Sequence, residues 1–272
     1  MSVLEKIIAV KRREVAEAKE LFPIKWLEKS IYYETPCVSL KQYLRRQDRV
    51  GVIAEIKRRS PSRGDINQNI SVERLSIGYM QAGASALSVL TDKEFFGGSA
   101  EDLKIARRFN YCPILRKDFI VDEYQLVEAK AIGADVALLI GRALPAGEIK
   151  RLAAFATSLG LEVLLEIHSL KDLEEAFCGE IDLIGVNNRN LAEMSVDLQR
   201  SFELVEHLPE GIVKISESGI ENAAQIVQLK RAGFDGFLMG QLFMQSGSPE
   251  QACAEVIRDV SEILGDVGEA HA

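Results

Sequence analysis

From residue 52 onward, short apolar runs alternate with longer amphipathic stretches that carry many charges, and this alternation constrains the fold more than any other feature. Each apolar run is nearly continuous, which is typical of parallel strands covered on both faces. The alternation therefore predicts successive strand–helix units in one parallel sheet. The eight predicted strands span residues 52–57, 85–90, 112–116, 135–140, 162–167, 182–187, 212–216 and 235–239.

A weak repeat of glycines supports closure of that sheet. Gly83, Gly133, Gly179 and Gly233 each precede a predicted strand, at intervals of 50, 46 and 54 residues, and each interval has room for two units. We interpret these glycines as left-handed caps at helix ends. Eight units fit a (β/α)8 TIM barrel with an N-terminal helical extension. An open doubly wound sheet lacks support, because no G-x-G-x-x-G sequence follows the first strand.

The residues before the first strand predict the helical extension. Its first apolar positions at helical spacing are Leu4, Ile7, Ile8 and Val15. They indicate an amphipathic helix over residues 3–20, and residues 24–48 predict one or two further short helices, in which Trp26 is expected to pack. We expect the extension, residues 1–48, to cover the mouth or side of the barrel, residues 49–272, within a single domain.

Charge and residue usage disfavour several classes of function. The net charge of −8 argues against nucleic acid or an anionic membrane as the main partner, although a small anionic ligand can still bind a local basic site. The four cysteines and three histidines show no metal-ligand spacing, so we expect no metal site, and reduced thiols in a cytoplasmic protein. The first 20 residues carry too many charges for a signal peptide, and no apolar run is long enough to span a bilayer.

Charged side chains stand at the ends of the predicted strands, where barrels of this kind place their active sites. In the first strand, Glu55 and Lys57 are two residues apart and share a face. Charges are rarely buried without a partner or a function. The other polar residues at these strand ends are Lys117, Glu166, Asn187, Arg189 and Glu217. Three acids and three bases in one cavity offset one another's desolvation, which predicts a dense acid–base site.

The loops after the last two predicted strands indicate an anion site. Ser218-Gly219 follows the seventh strand and leads into a predicted helix start near residue 221, and Gly240-Gln241 follows the eighth. Loops at these positions commonly hold phosphate through backbone N–H groups at a helix N-terminus. The paired glycines therefore predict a phosphate site.

Three further segments have simpler interpretations. Residues 91–94 are expected to form a solvated loop. Residues 95–99, Phe-Phe-Gly-Gly-Ser, follow a strand end and are expected to form a mobile lid. His168 lies just past Glu166 and is expected to pack or hydrogen-bond rather than to catalyse.

Several stretches together resemble the indole-3-glycerol-phosphate synthase family. They read VIAEIKRRSPSRGDI, ALSVLTDKEFFGGS, PILRKDFIVDEYQ, LEVLLEIHS, IGVNNRNL and ISESGI. The element E-x-K-x-x-S-P-S combined with L-x-K-D-F is the specific part of the resemblance. It implies a TIM-barrel enzyme of tryptophan biosynthesis without metal or cofactor. Such an enzyme closes the indole ring of 1-(2-carboxyphenylamino)-1-deoxyribulose 5-phosphate, with loss of carbon dioxide and water.

The resemblance also implies roles for individual residues. Lys117 corresponds to the general acid of ring closure, and a lysine acid near neutrality requires a pKa lowered by burial or by neighbouring cations. Glu166, Glu55 and Lys57 correspond to residues of the dehydration, without a division of roles among them. Gln241 departs from the family, which often has a short residue there, so only backbone donation to phosphate is expected. The other matched positions are Asn187 and Glu217 as orienting residues, Arg189 near the substrate carboxylate, Ser60, Ser218, Gly219 and Gly240 at the phosphate or substrate, and Phe96 and Phe119 around the aromatic ring.

Two alternatives stay open on the residues alone. The first is another phosphosugar-binding barrel enzyme, which does not require Lys117 beside Glu55 and Lys57. The second is a catalytically silent barrel that binds a phosphorylated metabolite or a partner protein, and it is disfavoured because all six charged positions are present. A small phosphorylated substrate is the expected partner. Neither nucleic acid, nor a membrane, nor an obligatory protein partner is implied.

Overall fold

The computed structural model describes residues 2–190, 193 and 195–269 of the chain, and within them eight parallel strands close into a barrel. The strands are β1 (Val52–Ile56), β2 (Ala86–Leu90), β3 (Ile114–Lys117), β4 (Val136–Ile140), β5 (Glu162–Ile167), β6 (Leu183–Asn187), β7 (Val213–Glu217) and β8 (Gly236–Met239). Each strand pairs in parallel with its sequence neighbours, and β1 also pairs with β8, so the ring is complete. The predicted (β/α)8 barrel is confirmed.

Helices cover the outside of the barrel and form the N-terminal extension. They are α1 (Val3–Leu21), α2 (Ile24–Leu27), α3 (Leu40–Leu44), α4 (Val72–Gln81), α5 (Ala100–Phe109), α6 (Glu123–Ile132), α7 (Ala146–Ser158), α8 (Leu170–Ala176), α9 (Gln199–Val205), α10 (Ala223–Arg231), α11 (Gln241–Met244) and α12 (Pro249–Glu269). A short hairpin, Arg59–Ser60 paired with Gly64–Asp65, forms in the loop after β1 and was not anticipated from the sequence.

Three of the four glycines interpreted as caps have the left-handed backbone that this role requires. Gly83, Gly133 and Gly233 have φ values of 100°, 92° and 105° and follow α4, α6 and α10. The interpretation is wrong for Gly179, whose φ lies outside the left-handed region. Helix α8 ends before it, because the chain already becomes extended at Phe177.

The extension contacts both ends of the barrel. In α1, Val3, Leu4 and Ile7 line the cavity at the mouth, as expected for a helix that covers it. In α3, the residues Leu40 and Leu44 belong to the apolar cluster inside the barrel. The prediction that Trp26 packs is wrong, because its side chain is 62% exposed. Helix α2 is a single turn without a buried residue, and of its apolar side chains Leu27 rather than Trp26 packs against the core.

Alternation along the strands explains why the barrel interior changes character along its axis. Successive side chains of a strand point to opposite sides, so residues two apart share the interior. The buried apolar cluster of the interior, together with Leu40 and Leu44, contains Ile53, Ala86, Leu115, Val136, Leu138, Ile140, Leu164, Leu183, Val213, Ile215 and Leu238. Two residues beyond Ile53, Leu115 and Leu164 stand Glu55, Lys117 and Glu166. The same periodicity that fills the core therefore directs the charges into the mouth.

Candidate active site

A cavity of about 770 Å³ opens at the C-terminal ends of the strands. Every residue that the sequence analysis selected for the site lines this cavity, which places them together in space. They are Glu55, Lys57, Ser60, Phe96, Lys117, Phe119, Glu166, Asn187, Arg189, Glu217, Ser218, Gly219, Gly240 and Gln241.

Lys117, at the end of β3, connects three strands through its ammonium group. Its Nζ donates to Oε2 of Glu166 on β5 at 2.5 Å and to Oε2 of Glu217 on β7 at 2.9 Å. Both carboxylates are buried. Buried charges persist only when they are paired and hydrogen-bonded, and this arrangement meets that condition for the lysine.

The electrostatics of Lys117 differ from the expectation. Burial lowers its pKa, but the facing carboxylates of Glu166 and Glu217 raise it more, so the net pKa lies above the ordinary lysine value. The expectation of a lowered pKa is therefore wrong. The reason is that Lys117 faces acids rather than cations, since the nearby Lys57 ammonium bonds to Glu55 instead. Lys117 is a stably protonated donor.

The two carboxyls that share this ammonium have different proton affinities. Burial raises the pKa of both, and Lys117 lowers it in both. The net pKa of Glu166 is lowered, because His168 and Asn187 add to the stabilisation of its charge. The net pKa of Glu217 is raised to about 7, with the negative charge of Glu166 contributing to the rise. Of the two carboxyls, Glu217 is therefore the one that holds a proton near neutrality.

Packing around Glu217 agrees with a neutral carboxyl. Its Oε1 is buried and accepts no hydrogen bond within the described part of the chain. That oxygen lies against Gly185, where an added Cβ would come within 2.1 Å of it. An ionised carboxylate oxygen without donors is costly in such a place, whereas a protonated one is tolerated more readily.

Glu55 and Lys57 form a second acid–base pair at the end of β1. The Lys57 ammonium donates to Oε1 of Glu55, whose side chain is buried. Gly240 makes room for this carboxylate, because an added Cβ there would lie 2.7 Å from Oε1 and 2.8 Å from Cβ of Glu55. The glycine after β8 is thus required by close packing, whatever its contact with a ligand.

Arg189 supplies a cationic wall on the side of β6. Its Nη2 donates to Oε1 of Gln241 at 3.2 Å, and its backbone N–H donates to Oδ1 of Asn187 at 3.0 Å. Burial and the neighbouring Arg63 guanidinium lower the pKa of Arg189. Two cations held this close favour an anion between them. Arg63 also lines the cavity, and the sequence analysis missed it because it belongs to the unanticipated hairpin.

The loop after β7 has an unusual backbone at the predicted phosphate site. Ser218 and Gly219 have φ values of 67° and 81°, and a left-handed serine is uncommon and often marks a functional site. A Cβ at Gly219 would come within 2.4 Å of Cγ1 of Val196. Helix α10 begins after the cap residue Asn222, and α11 begins directly after Gly240, as predicted.

Two aromatic rings and a serine complete the opposite side of the mouth. The ring centroids of Phe96 and Phe119 are 5.9 Å apart and their planes are tilted by 37°. Ser60 Oγ lies 3.3 Å from Ser62 Oγ. The pair of rings forms an apolar surface that suits a planar aromatic ligand.

The family of the chain follows from comparison with known proteins. The profile described as indole-3-glycerol phosphate synthase matches residues 4–256. The chain belongs to this family. Relatives named indole-3-glycerol phosphate synthase include one from Bacteroides thetaiotaomicron, 46% identical over 95% of this chain and 98% of its own length. Another, from Carboxydothermus hydrogenoformans, is 41% identical over 92% of this chain and 97% of its own.

The fold of the chain is similar to that of a solved structure. A thiamine phosphate pyrophosphorylase from Pyrococcus furiosus superposes with a TM-score of 0.61 over 83% of this chain and 100% of its own, at 19% sequence identity. At this identity the likeness supports the barrel architecture alone.

Two expectations about residues near the site need correction or refinement. The prediction that residues 91–94 are solvated is wrong for Thr91 and Asp92, which are buried. Thr91 donates to Asp118 and Asp92 accepts the backbone N–H of Phe95, while the next two residues are exposed. The mobile lid at residues 95–99 stays a prediction. His168 packs as expected: it is buried outside the cavity lining, with Nε2 3.5 Å from Oε1 of Glu166.

The described part of the chain shows neither a metal site nor a membrane span. The described residues contain no group of three histidine, cysteine or acidic side chains able to hold a metal ion. Among the helices of the described ranges, none has the length and apolar character needed to cross a membrane.

Proposed function

We propose that this chain catalyses the indole-3-glycerol phosphate synthase reaction on 1-(2-carboxyphenylamino)-1-deoxyribulose 5-phosphate. The observation that carries the proposal is the presence of two separate acid–base groups in one cavity. One is Lys117 between Glu166 and Glu217, and the other is Lys57 with Glu55. The reaction has two steps that each need proton transfer, ring closure and dehydration, and membership of the family supports the same chemistry.

Substrate orientation follows from the chemical character of the cavity walls. The aromatic ring binds beside Phe96 and Phe119, and its carboxylate faces the Arg189 guanidinium. The phosphate binds at the loops that contain Gly219 and Gly240, next to the N-termini of α10 and α11. This orientation brings the ribulose carbonyl above Lys117 and holds the reacting carbons close together, as an intramolecular ring closure requires.

In ring closure, the ring carbon that bears the carboxylate attacks the ribulose carbonyl carbon. Lys117 gives a proton to the carbonyl oxygen as the new carbon–carbon bond forms. The raised pKa of Lys117 does not prevent this, because the developing alkoxide is a strong enough base to take the proton from an ammonium group. Carbon dioxide then leaves, and the electron pair of the broken bond restores the aromatic ring. Glu217 passes its proton to the neutral Lys117 amine, with which it is hydrogen-bonded, and so restores the ammonium.

Dehydration removes the hydroxyl that ring closure created. In this proposal Lys57 protonates the hydroxyl, which leaves as water. A carboxylate, Glu55 or Glu166, takes the proton from the neighbouring carbon that is bonded to nitrogen, and the double bond of the indole forms. Asn187 orients the groups around Glu166. Two protons are given, by Lys117 and Lys57, and one is taken by the carboxylate. The substrate carboxylate leaves as carbon dioxide, so the whole reaction takes up one proton, which solvent returns to Glu217 at the end of the cycle.

A fluorescence assay for indole formation tests this function. The purified chain is incubated with the substrate in the presence of a metal chelator, and both fluorescence and carbon dioxide are recorded. We expect equal amounts of indole product and carbon dioxide. Consumption of substrate without carbon dioxide release would favour a different phosphosugar reaction. We further propose a cytoplasmic location, which the four free cysteines support.

A further inference from the structure

A buried lysine of the N-terminal extension contacts the back of the cavity wall. Ile7, Lys11 and Val15 are the buried residues of α1 and are spaced four apart, so they share the face that packs on the barrel. Lys11 is 4% exposed. A charged residue in the middle of an apolar stripe needs a partner of opposite charge.

The partners of Lys11 come from two different strand ends. Its Nζ lies 2.9 Å from Oδ2 of Asp92, which follows β2, and 3.1 Å from Oδ1 of Asp118, which follows β3. Glu14, one turn along α1, is the third contact at 2.8 Å. Asp92 is completely buried, and within the described ranges no other cation lies at ion-pair distance from it. Lys11 is therefore the counter-charge on which this aspartate depends.

Each of these aspartates also fixes the backbone of an aromatic residue of the cavity. Asp92 Oδ1 accepts the N–H of Phe95 at 2.7 Å and of Phe96 at 3.1 Å. Asp118 Oδ1 accepts the N–H of Phe119 at 2.8 Å. The rings of Phe96 and Phe119 face each other across 5.9 Å. One ammonium group outside the cavity thus contacts the aspartates of both loops that present the ring pair. Asp118 has a second cation, Arg116, whose Nη2 lies 3.2 Å from Oδ2, so the dependence on Lys11 is greater at Asp92.

We propose that Lys11 is a positioning residue that sets the separation and orientation of the Phe96–Phe119 pair, and thereby selects the aromatic end of the ligand. This inference rests on the proposed function, because it takes an anthranilate-type ring as the ligand of the pair. Lys11 itself does not line the cavity, so it acts through Asp92 and Asp118 rather than by contact. The extension accordingly contributes to specificity as well as to covering the mouth.

The test uses two small probes that bind at opposite ends of the cavity, on the full chain. Anthranilate reports on the ring pair, and inorganic phosphate reports on the loops of Gly219 and Gly240. Dissociation constants are measured by NMR titration for the wild-type chain, for Lys11→Met and for Lys19→Met. Lys19 is a matched control on the same helix, since it makes an exposed ion pair with Asp122 at 2.8 Å.

We expect Lys11→Met to weaken anthranilate binding by roughly ten- to hundredfold, the effect of a misplacement of about 1 Å. Phosphate binding should change by less than about twofold, a limit set by the additivity of distant sites. Lys19→Met should change neither constant. If Lys11→Met does not fold, Asp92→Asn replaces it, because it breaks the same ion pair while keeping the acceptor for the Phe96 N–H.

The outcomes separate this inference from the proposed function. Selective loss of anthranilate binding supports the positioning role. Parallel weakening of both probes, or no change in either, overturns it and leaves the proposed function standing, because a general loss of stability does not discriminate between probes. A wild-type chain that binds neither probe overturns the proposed function and the inference together.

Discussion

The two ends of the barrel are built from the same eight strands but from opposite kinds of side chain. At the N-terminal end, Leu40 and Leu44 of α3 pack on a cluster of buried apolar side chains. At the C-terminal end, the same inward positions carry Glu55, Lys117 and Glu166 around an open cavity. Burial of apolar area stabilises the first end, whereas the second contains charges that cost desolvation energy. The apolar end therefore contributes mainly to the stability of the fold, and the charged end contributes mainly to catalysis. Substitutions at the first end should lower the free energy of unfolding, and substitutions at the second should lower kcat.

The largest expected effect is on turnover at the charged end. Lys117→Met keeps the length and apolar volume of the side chain but removes the proton that ring closure needs. We expect kcat to fall by roughly two to four decades, with a much smaller change in KM. Carbon dioxide release in a single turnover measures the step directly.

A comparison with Lys57→Met sharpens the Lys117 test. Lys117→Met should release no carbon dioxide on the wild-type timescale, whereas Lys57→Met should release it and then accumulate a closed-ring species before dehydration. Carbon dioxide release at the wild-type rate from Lys117→Met would show that another group is the acid of ring closure.

The next effect concerns stability at the apolar end. Leu44→Ala leaves a cavity beneath the barrel, where a Cβ on Gly236 would already lie only 2.9 Å from Leu44 Cδ1. We expect the free energy of unfolding to fall by about 2–5 kcal/mol, with kcat unchanged. Denaturant titration measures the change, and Leu21→Ala, at an exposed position of α1, is the control. A loss of kcat in the folded Leu44 variant would contradict the separation of the two ends.

A smaller effect is expected in the phosphate loop. Gly219→Val adds a side chain where Cβ meets Val196 Cγ1 at 2.4 Å, at a φ of 81°. Overpacking of this size typically costs about 1–3 kcal/mol. The loop can avoid it only by moving away from Val196, and the same energy lost from phosphate binding would raise KM roughly ten- to hundredfold. Gly211→Val is the matched control, because Gly211 has a φ of 75° with no atom within 4 Å of an added Cβ. Equal KM changes in both variants would assign the effect to backbone strain rather than to the site.

The smallest effect is a pH dependence of stability from Glu217. Its pKa is raised from 4.5 to about 7 on folding, so the folded chain binds this proton more tightly than the unfolded chain. The resulting stabilisation is complete below about pH 4.5 and is lost as the pH rises to about 7. The melting temperature of the wild type relative to Glu217→Gln should therefore decrease across this range. If the melting temperatures of the wild type and Glu217→Gln differ by the same amount at every pH, the pKa of Glu217 is not raised on folding.

Local patterns predicted the barrel and the residues of its cavity, because both depend on short-range periodicity. A strand directs every second residue inward, so the apolar runs indicate the strands and their last polar residues indicate the mouth. Roles for those residues depend on proton affinity, and this depends on distances across the barrel. The pKa of Lys117 was expected to be lowered and is raised, since Glu166 and Glu217 approach it from strands 49 and 100 residues away in sequence.

Contacts between distant segments also explain what the sequence did not reveal. The buried ion cluster joins Lys11, Asp92 and Asp118, and no local pattern relates a helix in the extension to two strand ends. For the same reason Asp92 was assigned to a solvated loop. Trp26 shows the opposite case: a large apolar residue predicts burial, but the side of its one-turn helix that packs on the core carries Leu27, and Trp26 is exposed.

Closure of the ring between β1 and β8 has a consequence for synthesis on the ribosome. The β1 strand ends at Ile56 and its partner β8 begins at Gly236, so 180 further residues must be added before the two can meet. At about 5–20 residues per second, the nascent chain holds an unpaired β1 edge for roughly 10–40 s. Such an edge is a template for pairing with other chains. A chain that stops at residue 231 lacks β8 and should therefore aggregate, which light scattering measures. Pairing of β8 with β1 covers the exposed strand edge and so ends the risk of aggregation.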